Sequence, residues 1–401
     1  MKSLFTVLLM FIVATPSLYA RLTPKEGSSF NVGFNIVNYG ATGDGHTDDS
    51  EAFKRAWQDL CGATEGTPTL LISNGSFVLQ PMLFKGPCKL TAINIQVDGT
   101  IVAPESVIDW KWPDSNRGAW IKFSGINDLV INGGGTFDGQ GAPWWTRYND
   151  PDYKPTALQF HNCNNSALSG LTHINSPRNH ISIDSCNDFS ISNIHIIAPE
   201  DSHNTDGIDI SKSSNLLIEN SKIETGDDCI AINSGSSFIN ITGVTCGPGH
   251  GISVGSLGRN GAYETVEEIH VKYSTFTGTT NGARIKTWMG GSGYARKITF
   301  EHIILIGARN PVIIDQQYHD YAISDLNSAV RVSDVTYYNF TGTSTSQDAI
   351  TLNCDTNVGC IDIVLNDLNI TFADGGETLA SCNNAHGTFS SCYPSISCLS
   401  S

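Results

Sequence analysis

From about residue 125 onward the chain repeats one short design. The segments NDLVING, SALSGLTHI, NDFSISNIHI, SNLLIENSKI, SSFINITGVTC, EEIHVKYSTF, RKITFEHIIL, AVRVSDVTYY and IDIVLNDLNI each carry a β-branched, alternating run followed by polar or glycine-rich residues. Such runs are half-buried strands ending in turns. Aligned on Ile131, Leu168, Ile191, Ile218, Ile241, Val271, Phe300, Val332 and Leu365, they recur at intervals of 37, 23, 27, 23, 30, 29, 32 and 33 residues. These are solenoid periods. A helical solenoid of that period needs amphipathic segments of roughly ten residues or more, whereas the alternation here lasts about four to eight. The expected fold is all-β, a right-handed parallel β-helix of about ten coils, each burying its inward side chains against the coils above and below.

A stack of coils needs covered ends. The acidic start Thr47-Asp48-Asp49-Ser50-Glu51 followed by Ala52, Phe53, Ala56, Trp57 and Leu60 predicts an amphipathic helix that caps the amino-terminal coil. The length of 401 residues would allow more than one domain. No low-complexity linker divides residues 36–370, so a single β-helix domain is expected over residues 21–401, with an irregular, disulfide-tied tail from Ala373.

Residues 1–20 read as a signal peptide: Lys2, an apolar stretch from Leu4 to Val13, and Ser17-Leu18-Tyr19-Ala20 before Arg21. The apolar stretch is shorter than the ~20 residues of a membrane-spanning helix. A secreted protein with no membrane segment in its mature form is expected. Eleven cysteines suit an oxidising route and contain no CxxC pair, and their odd number leaves at least one outside an internal disulfide. Asn74, Asn164, Asn240, Asn339 and Asn369 lie in glycosylation sequons. With 39 acidic and 23 basic side chains the net charge is −16, and −17 once Lys2 is removed, which argues against a nucleic-acid partner.

Four polar clusters fall in successive coils: Asn204-Thr205-Asp206, Gly226-Asp227-Asp228-Cys229, Gly249-His250-Gly251 and Arg284-Ile285-Lys286. Asp206 to Asp228 is 22 residues, Asp228 to His250 is 22, His250 to Lys286 is 36, and Lys286 to Tyr318 is 32. Each step is about one coil, so the side chains line up along the solenoid axis, which suits a polymer. Arg284 and Lys286, two apart on a strand, point the same way and can hold a carboxylate. Asp227 and Asp228 serve one cleft only if the backbone turns there, and Gly226 permits that. Three aspartates around one cleft repel, so one can stay protonated as an acid while another remains a base. Glycoside hydrolysis needs such a pair, ~6.5–9.5 Å apart when water attacks directly and inverts the anomeric centre.

These residues, together with NTDGID from Asn204, GDDCIAI from Gly226, CGPGHGISVGSLG from Cys246, RIKTW from Arg284 and IVNYGATGDGHTDDSEAFKRAW from Ile36, resemble the plant polygalacturonases among the pectin-degrading β-helix hydrolases. The resemblance covers roughly residues 36–370. It implies Asp227 as the general acid, Asp206 and Asp228 as the groups that hold and activate water, and His250 as the residue tuning the acid. It further implies Arg284 and Lys286 as a clamp for a galacturonate carboxylate, with Asn204 and Tyr318 as substrate contacts. No metal and no cofactor are implied, and the partner is pectic polysaccharide, cut by a monomer in the cell wall. Two positions depart from the family pattern: His203 stands where a proline precedes NTD, and His319 where a cysteine follows the tyrosine.

The rivals are a calcium-dependent pectate lyase, a rhamnogalacturonan or xylogalacturonan hydrolase, and a non-catalytic wall-binding protein. Gly251-Ile252-Ser253-Val254-Gly255 matches the serine-hydrolase elbow, but SLGRNGAYE offers no following helix. His161, His180 and His195 lack metal-ligand spacing. Trp144-Trp145 suits packing as well as sugar stacking.

Overall fold

The computed structural model describes residues 30–112, 118–147, 154–318 and 328–400. The signal-peptide expectation and His319 lie outside them. The chain winds as a parallel β-helix in which each turn lays down about three short strands, such as Ile208–Ser211, Ser214–Glu219 and Lys222–Glu224. All the strand pairings around these run parallel, for instance Ile208↔Ile230 and Ile218↔Ile241. Parallel crossovers of this kind are right-handed. Two sheets result, one of 22 strands and one of 11. The smaller sheet counts the coils at eleven, in line with the expected number.

Alternation explains the register. In Ile208–Ser211 the isoleucines point inward and are fully buried, while Asp209 and Ser211 point outward. Each inward residue stacks on its counterpart one coil away, so Ile131, Leu168, Ile191, Ile218, Ile241, Val271 and Phe300 form one buried ladder. The ladder continues to Tyr337 and Leu365, since Phe300 pairs with Tyr337 and Tyr337 with Leu365. Val332 instead pairs with Ala295 and corrects the alignment above. Its strand contains two apolar alternations separated by Asp334 in the left-handed region, φ 54°, and that kink reverses the inward parity.

The capping helix spans Ser50–Cys61 and buries Ala52, Phe53, Ala56, Trp57 and Leu60. Trp57 packs edge-on against Phe84 of the first strand in the smaller sheet, 5.1 Å between centroids. Asp49 precedes the helix without capping it by its side chain. Its carboxylate accepts from Thr42 N (2.6 Å) and Gly43 N (3.1 Å), tying the incoming loop down. The tail is more regular than expected, because Leu379–Asn383 and Ala385–Tyr393 add further parallel strands. Open ladder positions on Asp348–Asn353 and Cys360–Phe372 template them, and Cys382–Cys398 closes the end. The other disulfides are Cys61–Cys88, Cys229–Cys246 and Cys354–Cys360, while Cys163, Cys186 and Cys392 are unpaired. Trp144 is buried against Trp110, and Trp145 donates to Ser176 O at 2.9 Å, so the tryptophan pair packs the wall. Among the described residues no helix is long and apolar enough to cross a membrane.

Candidate active site

The site sits on the outer face of the eleven-stranded sheet. Strands Ile181–Asp184, Ile208–Ser211, Ile230–Ile232 and Ile252–Leu257 start in register, Ile181↔Ile208↔Ile230↔Ile252. Two residues before those starts stand Asn179, Asp206, Asp228 and His250. Backbone bonds lock the stack, His180 N to Asp206 O at 2.7 Å and Gly207 N to Asp228 O at 2.8 Å. The 22-residue spacing is therefore one coil, and the coil rise is the ~4.8 Å strand spacing.

Asp227 and Asp228 occupy the turn ahead of their strand, where alternation does not yet apply. Asp228 N donates to Asp227 Oδ1 at 2.9 Å, and His250 Nδ1 lies 2.9 Å from the same oxygen. Gly226 is needed there, since a Cβ would meet Ser202 O at 2.2 Å. Asp228 is buried and held from the next coils. Ser253 Oγ donates to its Oδ1 at 2.9 Å, Arg284 Nη2 bonds the same oxygen, and Lys286 Nζ bonds Oδ2 at 2.8 Å. Arg284 Nε in turn donates to Ser253 Oγ at 2.8 Å. The serine of the elbow-like motif is thus a positioning residue in a strand. Tyr318 ends its strand beside this group, with Lys286 Nζ 5.3 Å from the ring centroid.

Electrostatics separates the carboxyls. Burial alone would raise Asp228, but Arg284 and Lys286 overcome it and hold its carboxyl below the usual range. Asp206 forms no ion pair among the described residues, and the pull of Lys286 on it is outweighed. Burial, with Asp209, Asp227 and Asp228 nearby, pushes it well above the usual range. Asp206 and Asp228 are thus driven in opposite directions within a single cluster, so neighbouring carboxyls can differ in charge state.

All eight residues expected for the site fall on this face, and three further ones join them. Asp209, outward in Ile208–Ser211, is pushed up to about 7 by burial and by Asp228 and Asp227, against the pull of Arg178. Its Oδ1 has no hydrogen-bond partner among the described residues. The alternation Ile208-Asp209-Ile210 was the available signal, a lone carboxylate on the cleft face of a strand. Lys154 and Arg178 carried no such signal, because only the register brings them near. Lys154 Nζ bonds His203 O and Asn204 Oδ1, each at 3.3 Å, and Asn204 itself sits in the left-handed region, φ 65°.

Asp227, Asp228 and His250 offer ligand atoms within 4.8 Å of one another. A cation would fit the spacing but not the charge, since both Asp228 oxygens already accept from Arg284 and Lys286. A cavity of about 710 Å³ lies elsewhere, lined by Trp57, Phe84, Lys111 and Trp112 between the capping helix and the first strand of the sheet, and none of the site carboxyls borders it.

Carboxyls lined up along the axis of a parallel β-helix, driven to opposite charge states and flanked by cations, are the make-up of a polysaccharide-cleaving enzyme of the acid/base type. Glycosyl hydrolases family 28 matches residues 61–393, and the chain belongs to that family. A probable polygalacturonase of Arabidopsis thaliana is 47% identical over 372 residues, 91% of this chain and 80% of its own length. An exopolygalacturonase of Zea mays is 38% identical over 408 residues, 99% of this chain and 98% of its own. Among solved structures, the endo-xylogalacturonan hydrolase from Aspergillus tubingensis superposes with a TM-score of 0.77 at 24% identity, covering 90% of this chain and 100% of that one. That likeness speaks for the β-helix alone.

Proposed function

We propose that the chain is a secreted polygalacturonase, hydrolysing α-1,4-galacturonosyl linkages of pectic polysaccharide in the cell wall by single displacement with inversion. The observation that carries this reading is Asp228 held ionised by Arg284 and Lys286, beside a raised Asp206 and an Asp227 that His250 touches. Asp227 faces the groove as the general acid. Asp206 and Asp228 hold the attacking water between them, and His250 orients the acid's carboxyl. When a galacturonate carboxylate enters, it shares Arg284 and Lys286 with Asp228, while Asn204 and Tyr318 contact the sugars on either side. No metal takes part in these steps. The four disulfides support an oxidising, extracellular setting. Residues 21–401 act as one catalytic domain and as a monomer.

The test is release of reducing ends from polygalacturonate, with and without a calcium chelator. Hydrolysis unaffected by chelator, with saturated products, is expected. Calcium dependence with unsaturated ends identifies a lyase and sinks the proposal. Asp227→Asn should lower turnover by about 10²–10⁴-fold with an unchanged melting curve; near-normal turnover in that variant would refute the acid assignment.

A further inference from the structure

The three site aspartates are not equally held. Asp228 accepts from Ser253, Arg284 and Lys286, while Asp227 accepts from Asp228 N and lies 2.9 Å from His250 Nδ1. No side chain among the described residues hydrogen-bonds the Asp206 carboxyl, on which burial and the charges of Asp209, Asp227, Asp228 and Lys286 act. Its aim therefore depends on its backbone.

That backbone is clamped at one peptide. The Asp206 carbonyl accepts from His180 N at 2.7 Å and lies 3.2 Å from His180 Nδ1, and the N–H of the same peptide, on Gly207, donates to Asp228 O at 2.8 Å. Gly207 allows this close stacking, since a Cβ there would meet Cys229 O at 2.5 Å. The peptide is thus tied to the coil on either side.

The ring of His180 suits the clamp because its proton has one place to go. The residue is fully buried, and burial pushes its pKa down to about 4, so the imidazole is neutral near neutral pH and carries a single N–H. Ser176 N donates to Nε2 at 3.3 Å, which leaves the proton on Nδ1, facing Asp206 O. Ser176 is itself fixed, its carbonyl accepting from Trp145 Nε1 at 2.9 Å and its hydroxyl donating to Asn179 O at 3.0 Å. The imidazole joins a rigid turn in one coil to the Asp206 peptide in the next.

We propose that His180 is a positioning residue for hydrolysis: its Nδ1–H holds the Asp206 carbonyl and so aims a carboxyl that no other side chain holds. The inference rests on the polygalacturonate reading, in which Asp206 and Asp228 hold the attacking water. Since the water and not the sugar is being placed, the effect belongs in kcat rather than KM.

His180→Asn and His180→Gln divide the two ring nitrogens. The asparagine puts an N–H where Nδ1 stands and leaves the buried Ser176 N unpaired. The glutamine puts an acceptor near the place of Nε2 and removes one of the two bonds to Asp206 O, the one from the residue-180 amide remaining. A buried donor left unpaired costs more than one bond lost from a carbonyl that keeps another, so His180→Asn should melt lower than His180→Gln. Activity should run the other way. Assayed on polygalacturonate below every melting transition, His180→Gln should lose about 10²-fold in kcat with KM little changed, the effect of a misplacement of about 1 Å, and His180→Asn should keep most of the wild-type kcat. Equal kcat in the two variants, or kcat that follows melting temperature, overturns the proposal. Nitrogen NMR of histidine-labelled wild type, with the His180 signals identified by their loss in His180→Asn, should show the Nδ1–H tautomer at pH 7. A ring proton on Nε2, turned away from Asp206, overturns it equally. The tautomer is read without substrate, so a wild type that leaves polygalacturonate uncut sinks the functional reading and is a distinct failure.

Discussion

His173 makes the acid stability of this β-helix a quantitative matter. Its ring points inward, stacked on Phe137 at 5.1 Å and 5°, and neither nitrogen has a partner among the described residues. Burial, reinforced by the nearby His180, pushes its pKa down to about 3. His180 is also fully buried, and burial pushes it down to about 4, against backbone carbonyls such as Asp206 O that favour its charged form. Both folded values lie below the unfolded value of ~6.5, so the unfolded chain binds more protons as pH falls below that value. Stability is full above pH ~6.5 and is lost as pH falls through the window towards the folded values. At 1.36 kcal/mol per unit, going from pH 7 to pH 5 removes about 2 kcal/mol for each histidine, about 4 kcal/mol in all.

His173→Leu separates the two contributions. It deletes a buried donor and acceptor that cost about 1–3 kcal/mol unpaired, and forfeits a ring stack worth about 0.5–1.5 kcal/mol. At pH 7 the variant should match or exceed the wild type by up to about 2 kcal/mol. Between pH 7 and pH 5 it should lose about 2 kcal/mol less than the wild type, since the raised Asp206 and Asp209 act with the opposite sign equally in both proteins. Urea titrations at the two pH values measure both quantities, provided the slope with denaturant is the same in each. Equal losses in the two proteins refute the reasoning, since the ring would then not be carrying the proton deficit. Turnover should not change, because the side chain faces away from the groove. His180→Leu should behave in the opposite sense at pH 7. The His180 ring accepts from Ser176 N at 3.3 Å and reaches Asp206 O at 3.2 Å, so its removal strands a buried amide directly under the site.

Three other outcomes follow from the geometry. Gly226→Ala places a methyl 2.2 Å from Ser202 O and must open the turn that aims Asp227; stability should fall by about 1–3 kcal/mol and turnover by about 10²-fold, read from melting and rate together. Replacing Cys229 and Cys246 by alanine opens a cross-link spanning 17 residues beside Asp228; about 3 kcal/mol of stability should be lost, with kcat falling more than KM rises. Asp209→Asn removes one of the charges that raises Asp206. The limb of the pH–rate profile governed by Asp206 should then move to lower pH, and an unmoved limb would show that the two carboxyls are not coupled.

What the sequence disclosed and what it withheld follow from one physical distinction. Short alternating runs report strands directly, because inward residues must be apolar, and the stripe in Ser50–Cys61 reports the cap for the same reason. Spacing reports the site most directly where successive coils have equal length, as between Asp206, Asp228 and His250. The coil before Asp206 is longer, with 27 residues between Ile181 and Ile208, and the one before it begins near a break in the alternation. Arg178 and Lys154 therefore share no interval with the carboxyls, and only register sets them beside the groove. The Val332 misalignment has the same origin, since a left-handed residue inside a strand changes parity without changing composition.

Charge shows the distinction most clearly. A net −16 over the whole chain suggests repulsion of an anionic polymer. The register brings Lys154, Arg178, Arg284 and Lys286 near the same carboxyls, two of them paired with Asp228. Arg178 acts on Asp209, and Arg284 and Lys286 pair with Asp228, so the charge balance at the site differs from that of the whole chain. The charge around the carboxyls is therefore set locally by the stacking of coils, and the net charge of the whole chain does not report it.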